Sequence, residues 1–151
     1  MKFRFQAVLL GCVMTMLASV VMPAQTQTPP PSNETSYQPK FHGDPAHSDS
    51  EAIALGYMRT VLRAQKLYEK KNGKYAPSLM DLVHTGSFTR RMVDPHRGDY
   101  TAGFRSHKDG FEMTMTPENV DANHRSFYAD EKGIIRADDQ AAADEHSPAL
   151  K

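Results

Sequence analysis

The chain has 151 residues with 18 Lys+Arg and 18 Asp+Glu, a formal net charge of +0; it is 39% hydrophobic, with 10 Pro, 9 Gly, 1 Cys and no Trp. This length suits one domain rather than two. The charge balance argues against nucleic-acid binding, which goes with a basic excess, and one Cys excludes an internal disulfide framework or a Cys-rich metal site.

Residues 1–24 read as an export signal. Lys2 and Arg4 form a positive n-region, and an apolar run from Phe5 to Met22 ends at Pro23-Ala24-Gln25 with a small residue suited to cleavage after Ala24. Met22 is unusual at the third position before that cut. An uncleaved anchor over residues 6–22 is the alternative, since a run of about 17 residues sits at the lower limit for spanning a bilayer. Leu9-Leu10-Gly11-Cys12 also resembles a lipobox, although most of the apolar run follows Cys12. Cleavage would remove Cys12, leaving a mature protein without a thiol to suit an oxidising compartment.

Residues 25–48 carry Pro29-Pro30-Pro31 among Gln, Thr, Ser, Asn and His. Such a segment buries little apolar surface and reads as an extended, disordered linker. Ser48-Asp49-Ser50-Glu51 then has the spacing of a capping box. It predicts a helix to about Lys71, with Ala54, Tyr57, Met58, Val61, Leu62, Ala64 and Tyr68 on one side. Arg59, Arg63, Lys66 and Lys70 fall on the other, and Asn72-Gly73 is the stop. Pro77 to Val83 reads as a short second helix capped by Ser78 and ended by Thr85-Gly86.

Strands follow. Tyr100–Arg105 is a first candidate. Phe111, Met113 and Met115 alternate with Glu112, Thr114 and Thr116 at the period of a half-buried strand. Ser126–Ala129 and Ile134–Ala137 complete the set, with turns at Lys108-Asp109-Gly110 and Asp130-Glu131-Lys132-Gly133. Asn119 to His124 is a polar connection. The expected class is α+β, with one long amphipathic helix and a short second helix packed on a small antiparallel meander. The domain is expected over residues 49–137, and residues 138–151 read as a disordered acidic tail.

Several of these residues carry a family resemblance. The stretch Ala64-Gln65-Lys66-Leu67-Tyr68-Glu69-Lys70-Lys71-Asn72-Gly73-Lys74-Tyr75-Ala76-Pro77 resembles the end of the helix in bacterial type IV pilins and type II secretion pseudopilins. Leu79 to Val83 is similar to the short segment that follows there. Val93-Asp94-Pro95-His96-Arg97-Gly98-Asp99-Tyr100 resembles the entry into the sheet of the major pseudopilin, with His96 in the place of a Trp. Ser126 to Arg136 resembles the closing hairpin. The resemblance covers about residues 50–137 and rests on the ordered combination. It implies a pilin-like head that works by protein contact. The chain departs from the family at its start, where Gly11 is followed by Cys12 and no acidic residue occurs before Glu34. A proline-rich break separates the apolar run from the domain helix, so the usual filament core does not form. The acidic calcium loop of the major pseudopilin has no clear match either; Asp138-Asp139 lacks the surrounding pattern.

Residue chemistry offers few competitors. His42 and His47 with Asp44 and Asp49 have the atoms of a metal site, but a solvated segment explains them as well. Asp94, His96 and Asp99 suggest an acid/base group, set against turn chemistry around Pro95 and Gly98. Arg97-Gly98-Asp99 spells an adhesion tripeptide that is common by chance. His84 is placed at a helix end, where a cation suits the dipole, and His107 and His124 in loops. Ser126 lacks a recognisable base. Tyr57, Met58, Tyr68, Met113 and Met115 read as core rather than a ligand pocket. The basic face at Arg59, Arg63, Lys66, Lys70, Lys71, Arg90 and Arg91 reads as a solvated face that an acidic partner or anionic lipid would fit.

The resulting expectation is an exported, periplasmic or secreted, non-enzymatic protein acting through protein partners, among them secretion or pilus subunits. No catalytic, cofactor-binding or metal residue is assigned, and no cofactor or nucleic acid is expected. A membrane enters only if residues 6–22 are retained. The alternatives are a membrane-tethered version, and a small periplasmic enzyme or metal binder using the scattered His and Asp.

Overall fold

The computed structural model describes residues 37–151. The expected signal, the apolar run and the first part of the linker lie outside the described residues. Helix α1 spans Asp49–Asn72, about 36 Å at 1.5 Å per residue. Its start is local chemistry. The Ser48 hydroxyl accepts from the Glu51 amide at 3.2 Å, which satisfies one of the free N–H groups of the first turn. Its end is equally local, for Gly73 turns left-handed at φ 69° and its amide reaches the Glu69 carbonyl at 2.7 Å.

Five strands follow: β1 (His96–Arg97), β2 (Tyr100–His107), β3 (Gly110–Pro117), β4 (Ser126–Asp130) and β5 (Arg136–Asp138). They form one antiparallel sheet in chain order, so the class is α+β. Register decides which side chains meet the helix. Ala102 stands opposite Met115 and Phe104 opposite Met113, while Met113 faces Ala129 and Met115 faces Phe127. These residues share one core with Ala54, Leu55, Met58 and Val61 of α1. The opposite pleat carries Thr101, Arg105 and Thr116, which are exposed.

The expected second helix over Pro77–Val83 shrinks to a single 3-10 turn, Met80–Leu82. Val83 turns extended and His84 enters the left-handed region at φ 69°. That reversal closes a loop in which the His84 amide reaches the Phe88 carbonyl and delivers Phe88, 1% exposed, to the core beside Tyr57. Burying a phenyl ring outweighs another helical turn. His84 therefore sits in a loop, not at a helix end. The last strand also shifts, from Ile134–Ala137 to Arg136–Asp138. Asp130 holds the turn by accepting from the Lys132 and Gly133 amides, which leaves Ile134 45% exposed.

Both domain limits move outward. The expected linker is folded from Tyr37 onward. The Tyr37 hydroxyl donates to Asp44 at 2.5 Å, Ala46 is buried, and the Pro45 carbonyl accepts from Arg125 at 2.6 Å. The expected disordered tail packs back as well. The Ser126 hydroxyl takes the Ala143 amide at 2.7 Å, while the Ala137 amide donates to Pro148 and the Leu150 amide to Ile135. Residues 148–150 thus cover the free edge of β5, which otherwise exposes unpaired backbone groups. Their composition looks solvated because backbone pairing holds much of the segment, with Leu150 packed on the core and Ala143 buried.

Candidate functional site

Polar side chains gather where the start of α1 meets the connection between β3 and β4. The centre is Glu51, fully buried. Arg125 grips it with two donors, Nε to Oε1 at 3.0 Å and a terminal nitrogen to Oε2 at 2.7 Å. The amides of Arg125 and His47 each add a bond at 2.8 Å. Every carboxylate oxygen is satisfied, as a buried charge requires. In the sequence, Glu51 reads only as half of a capping box. A carboxylate on the same helical side as Ala54, Leu55 and Met58 was the available signal that it needed a buried cation.

Around this centre the Ser50 hydroxyl donates to Asp99 at 2.8 Å. His124 lies between Asp121, 3.1 Å from its Nδ1, and Asp99, 3.8 Å from its Nε2. The ring nitrogen of His47 meets the Ala122 carbonyl at 2.7 Å. The Asn123 amide holds the Asp121 carboxyl below the usual Asp value of 3.8. The serine here bonds a carboxylate rather than an imidazole, so this chain of groups lacks the nucleophile–base contact of acyl-transfer sites. Its bonds join the start of the helix to the loop that enters β4.

The sequence candidates separate. Asp94 accepts the His96 amide at 2.8 Å in a turn, while Asp99 points at Ser50; they do not converge. Arg97 is committed inward, with its guanidinium 4.1 Å from the Tyr57 ring centre and bonded to the Met92 carbonyl, so the adhesion tripeptide is not displayed. Asp44 is taken by Tyr37, and Asp49 faces Lys40 at 3.8 Å. His42 is exposed, and His107 lies 3.8 Å from Glu131. Ser126 is buried beneath residues 139–147 and bonds the Ala141 carbonyl and Ala143 amide. Among the described residues, no group of three or more His, Cys, Asp or Glu is arranged to hold a metal ion. No helix among them is long and apolar enough to cross a membrane.

Concave surface is found instead along α1. One cleft of about 450 Å3 lies between the second half of the helix and the β4–β5 turn. Arg63, Lys66 and Glu69 line its helix side, and Tyr75, Phe111 and Glu131 lie across from them. Tyr75 meets Phe111 edge-on at 5.3 Å. A second groove of about 350 Å3 is lined by Phe41, Arg59, Ile134, Ile135 and Leu150, and Gly133 borders both. A third hollow, about 610 Å3, opens between Pro45, His47 and the residues at 138–140 and 148–151.

Comparison with protein-family profiles, with curated proteins and with solved structures yields no match.

Proposed function

We propose that this chain is an exported, non-enzymatic pilin- or pseudopilin-like protein that acts through protein–protein contacts as an accessory of a type II secretion or type IV pilus system. One observation carries the reading. A single long helix precedes an antiparallel meander and lies against one of its faces, in the chain order in which the resembling motifs occur. Tyr75-Ala76-Pro77 supports it, because Gln65 clamps Ala76 through two bonds and so fixes the path of the chain away from the helix. The polar groups near α1 join structural elements, and the concave surface beside α1 is open and mixed in character. Both features suit recognition of another protein better than turnover of a small molecule.

Affinity purification from the native cell after mild crosslinking tests this role. Recovery with secretion or pilus subunits is expected; recovery alone would overturn the accessory role. Mass spectrometry of the mature N-terminus, expected to begin at Gln25, tests export with cleavage.

A further inference from the structure

We infer that the groove beside α1 receives an extended acidic segment of a partner protein, with carboxylates on alternate residues. This rests on the protein-contact reading above and names its surface. Arg59, Arg63, Lys66 and Lys70 are spaced by four, three and four residues. At 100° per residue they fall within about 60° of one another, and they rise about 16 Å along the helix. Between Arg59 and Lys74 the sequence holds six Lys or Arg and one carboxylate, Glu69.

These cations are available. The ion pairs of Lys and Arg among the described residues involve Lys40, Arg105, Arg125 and Lys132 instead. Arg63, Lys66 and Lys70 are exposed. Of the nearby carboxylates, Asp44 is engaged by Tyr37 and Asp130 by Lys132. Glu69 and Glu131 line the cleft and set a local preference against a carboxylate at those points.

Shape and spacing select the occupant. Successive cations stand roughly 4.5–6 Å apart along the axis. Side chains on one face of an extended peptide repeat at about 6.6–6.8 Å, a mismatch that flexible Arg and Lys stems absorb. The intervening residues of such a peptide would point at Leu62, Tyr75, Phe111 and Ile135, which line the two grooves. Apolar residues between acidic ones therefore complete the fit. A membrane needs a flat or protruding basic face, whereas these aromatic rings sit within a concavity.

The test uses the full chain and a fluorescent peptide of alternating Glu and Val, followed by anisotropy at low salt. A peptide of the same composition with its Glu and Val in separate blocks is the comparison. Preference for the alternating peptide of about tenfold is expected, together with a similar loss in the Arg63→Glu/Lys66→Glu protein. The Arg105→Glu/Lys108→Glu protein, altered on β2 and its turn rather than on the basic face of α1, should bind as the parent does. If the groove variant melts early, Arg63→Gln/Lys66→Gln replaces it and should weaken binding in the same direction. Equal binding of both peptides, or no loss in either groove variant, overturns the proposal. So does binding of phosphatidylglycerol vesicles in place of the peptide. Failure here with subunits still co-purifying removes this surface and leaves the accessory role standing. Peptide binding without co-purifying subunits supports the groove and removes that role.

Discussion

Glu51 and Arg125, 74 residues apart in the chain, close a two-pronged ion pair that fastens the first turn of α1 to the start of β4. The geometry is bidentate, the form that a planar guanidinium and a carboxylate favour. Glu51 is 0% exposed and the Arg125 side chain 13%, so neither partner can regain full hydration if the other is lost.

Removing one partner should therefore cost more than the pair contributes. Arg125→Met is expected to destabilise the protein by about 3–5 kcal/mol, because it strands the Glu51 charge. Glu51→Gln combined with Arg125→Met removes the buried charge and keeps a carbonyl acceptor for one of the His47 and Arg125 amides, so it should recover much of that loss. Urea denaturation of both proteins measures the difference; equal losses would show that the ion pair does not carry the docking.

Gln65 provides a second test. Its buried amide accepts from the Ala76 amide at 2.9 Å and donates to the Ala76 carbonyl at 3.2 Å. Gln65→Leu leaves both buried backbone groups without partners, at about 1–3 kcal/mol each. Denaturant midpoints should fall accordingly, and hydrogen exchange should quicken at Ala76 before it does in β3.

The chain beyond β5 is part of the fold. Ser126→Ala removes the acceptor of the buried Ala143 amide and should cost about 1–3 kcal/mol. Deleting residues 139–151 would also uncover the β5 edge now met by Ala149, so self-association in size-exclusion chromatography is expected.

Stability should fall in acid through identifiable carboxyls. The hydrogen bond from Tyr37 lowers the Asp44 pKa, and backbone amides lower those of Asp121 and Asp144. Groups depressed in the folded state contribute above their unfolded value of 3.8 and lose that contribution as pH drops through the folded values. The same Asp44 contact pushes Tyr37 up from 10.0 to about 12. That contribution is present below pH 10 and is lost as pH rises through the folded value. Tyr37→Phe should lower stability across the neutral region, where the contact contributes fully, and so flatten both limbs of a stability-against-pH curve.

Gly73 tests the end of the helix. A Cβ there meets nothing within 4 Å, yet φ is +69°. Gly73→Ala should thus cost about 1–2 kcal/mol through backbone conformation alone, with Asn losing less. Thermal melts compare the three proteins.

What the sequence determined by itself was short-range. Ser48 and Gly73 mark α1 because capping involves groups a few residues away. The Phe111, Met113, Met115 alternation marks β3 because each strand residue chooses a face by parity. The basic stripe of α1 was legible for the same reason, since helical spacing alone aligns Arg59, Arg63, Lys66 and Lys70. Only the tertiary structure decided what lies opposite. It supplied Arg125 to Glu51, closed Gln65 over Ala76, and replaced a second helix with a loop that buries Phe88. It also built the groove beside that stripe and drew residues 37–48 and 138–151 into the domain. Those segments are polar, so nothing in their composition announced burial. They are held by hydrogen bonds to distant backbone, and such bonds exist only once the chain has brought their donors and acceptors together.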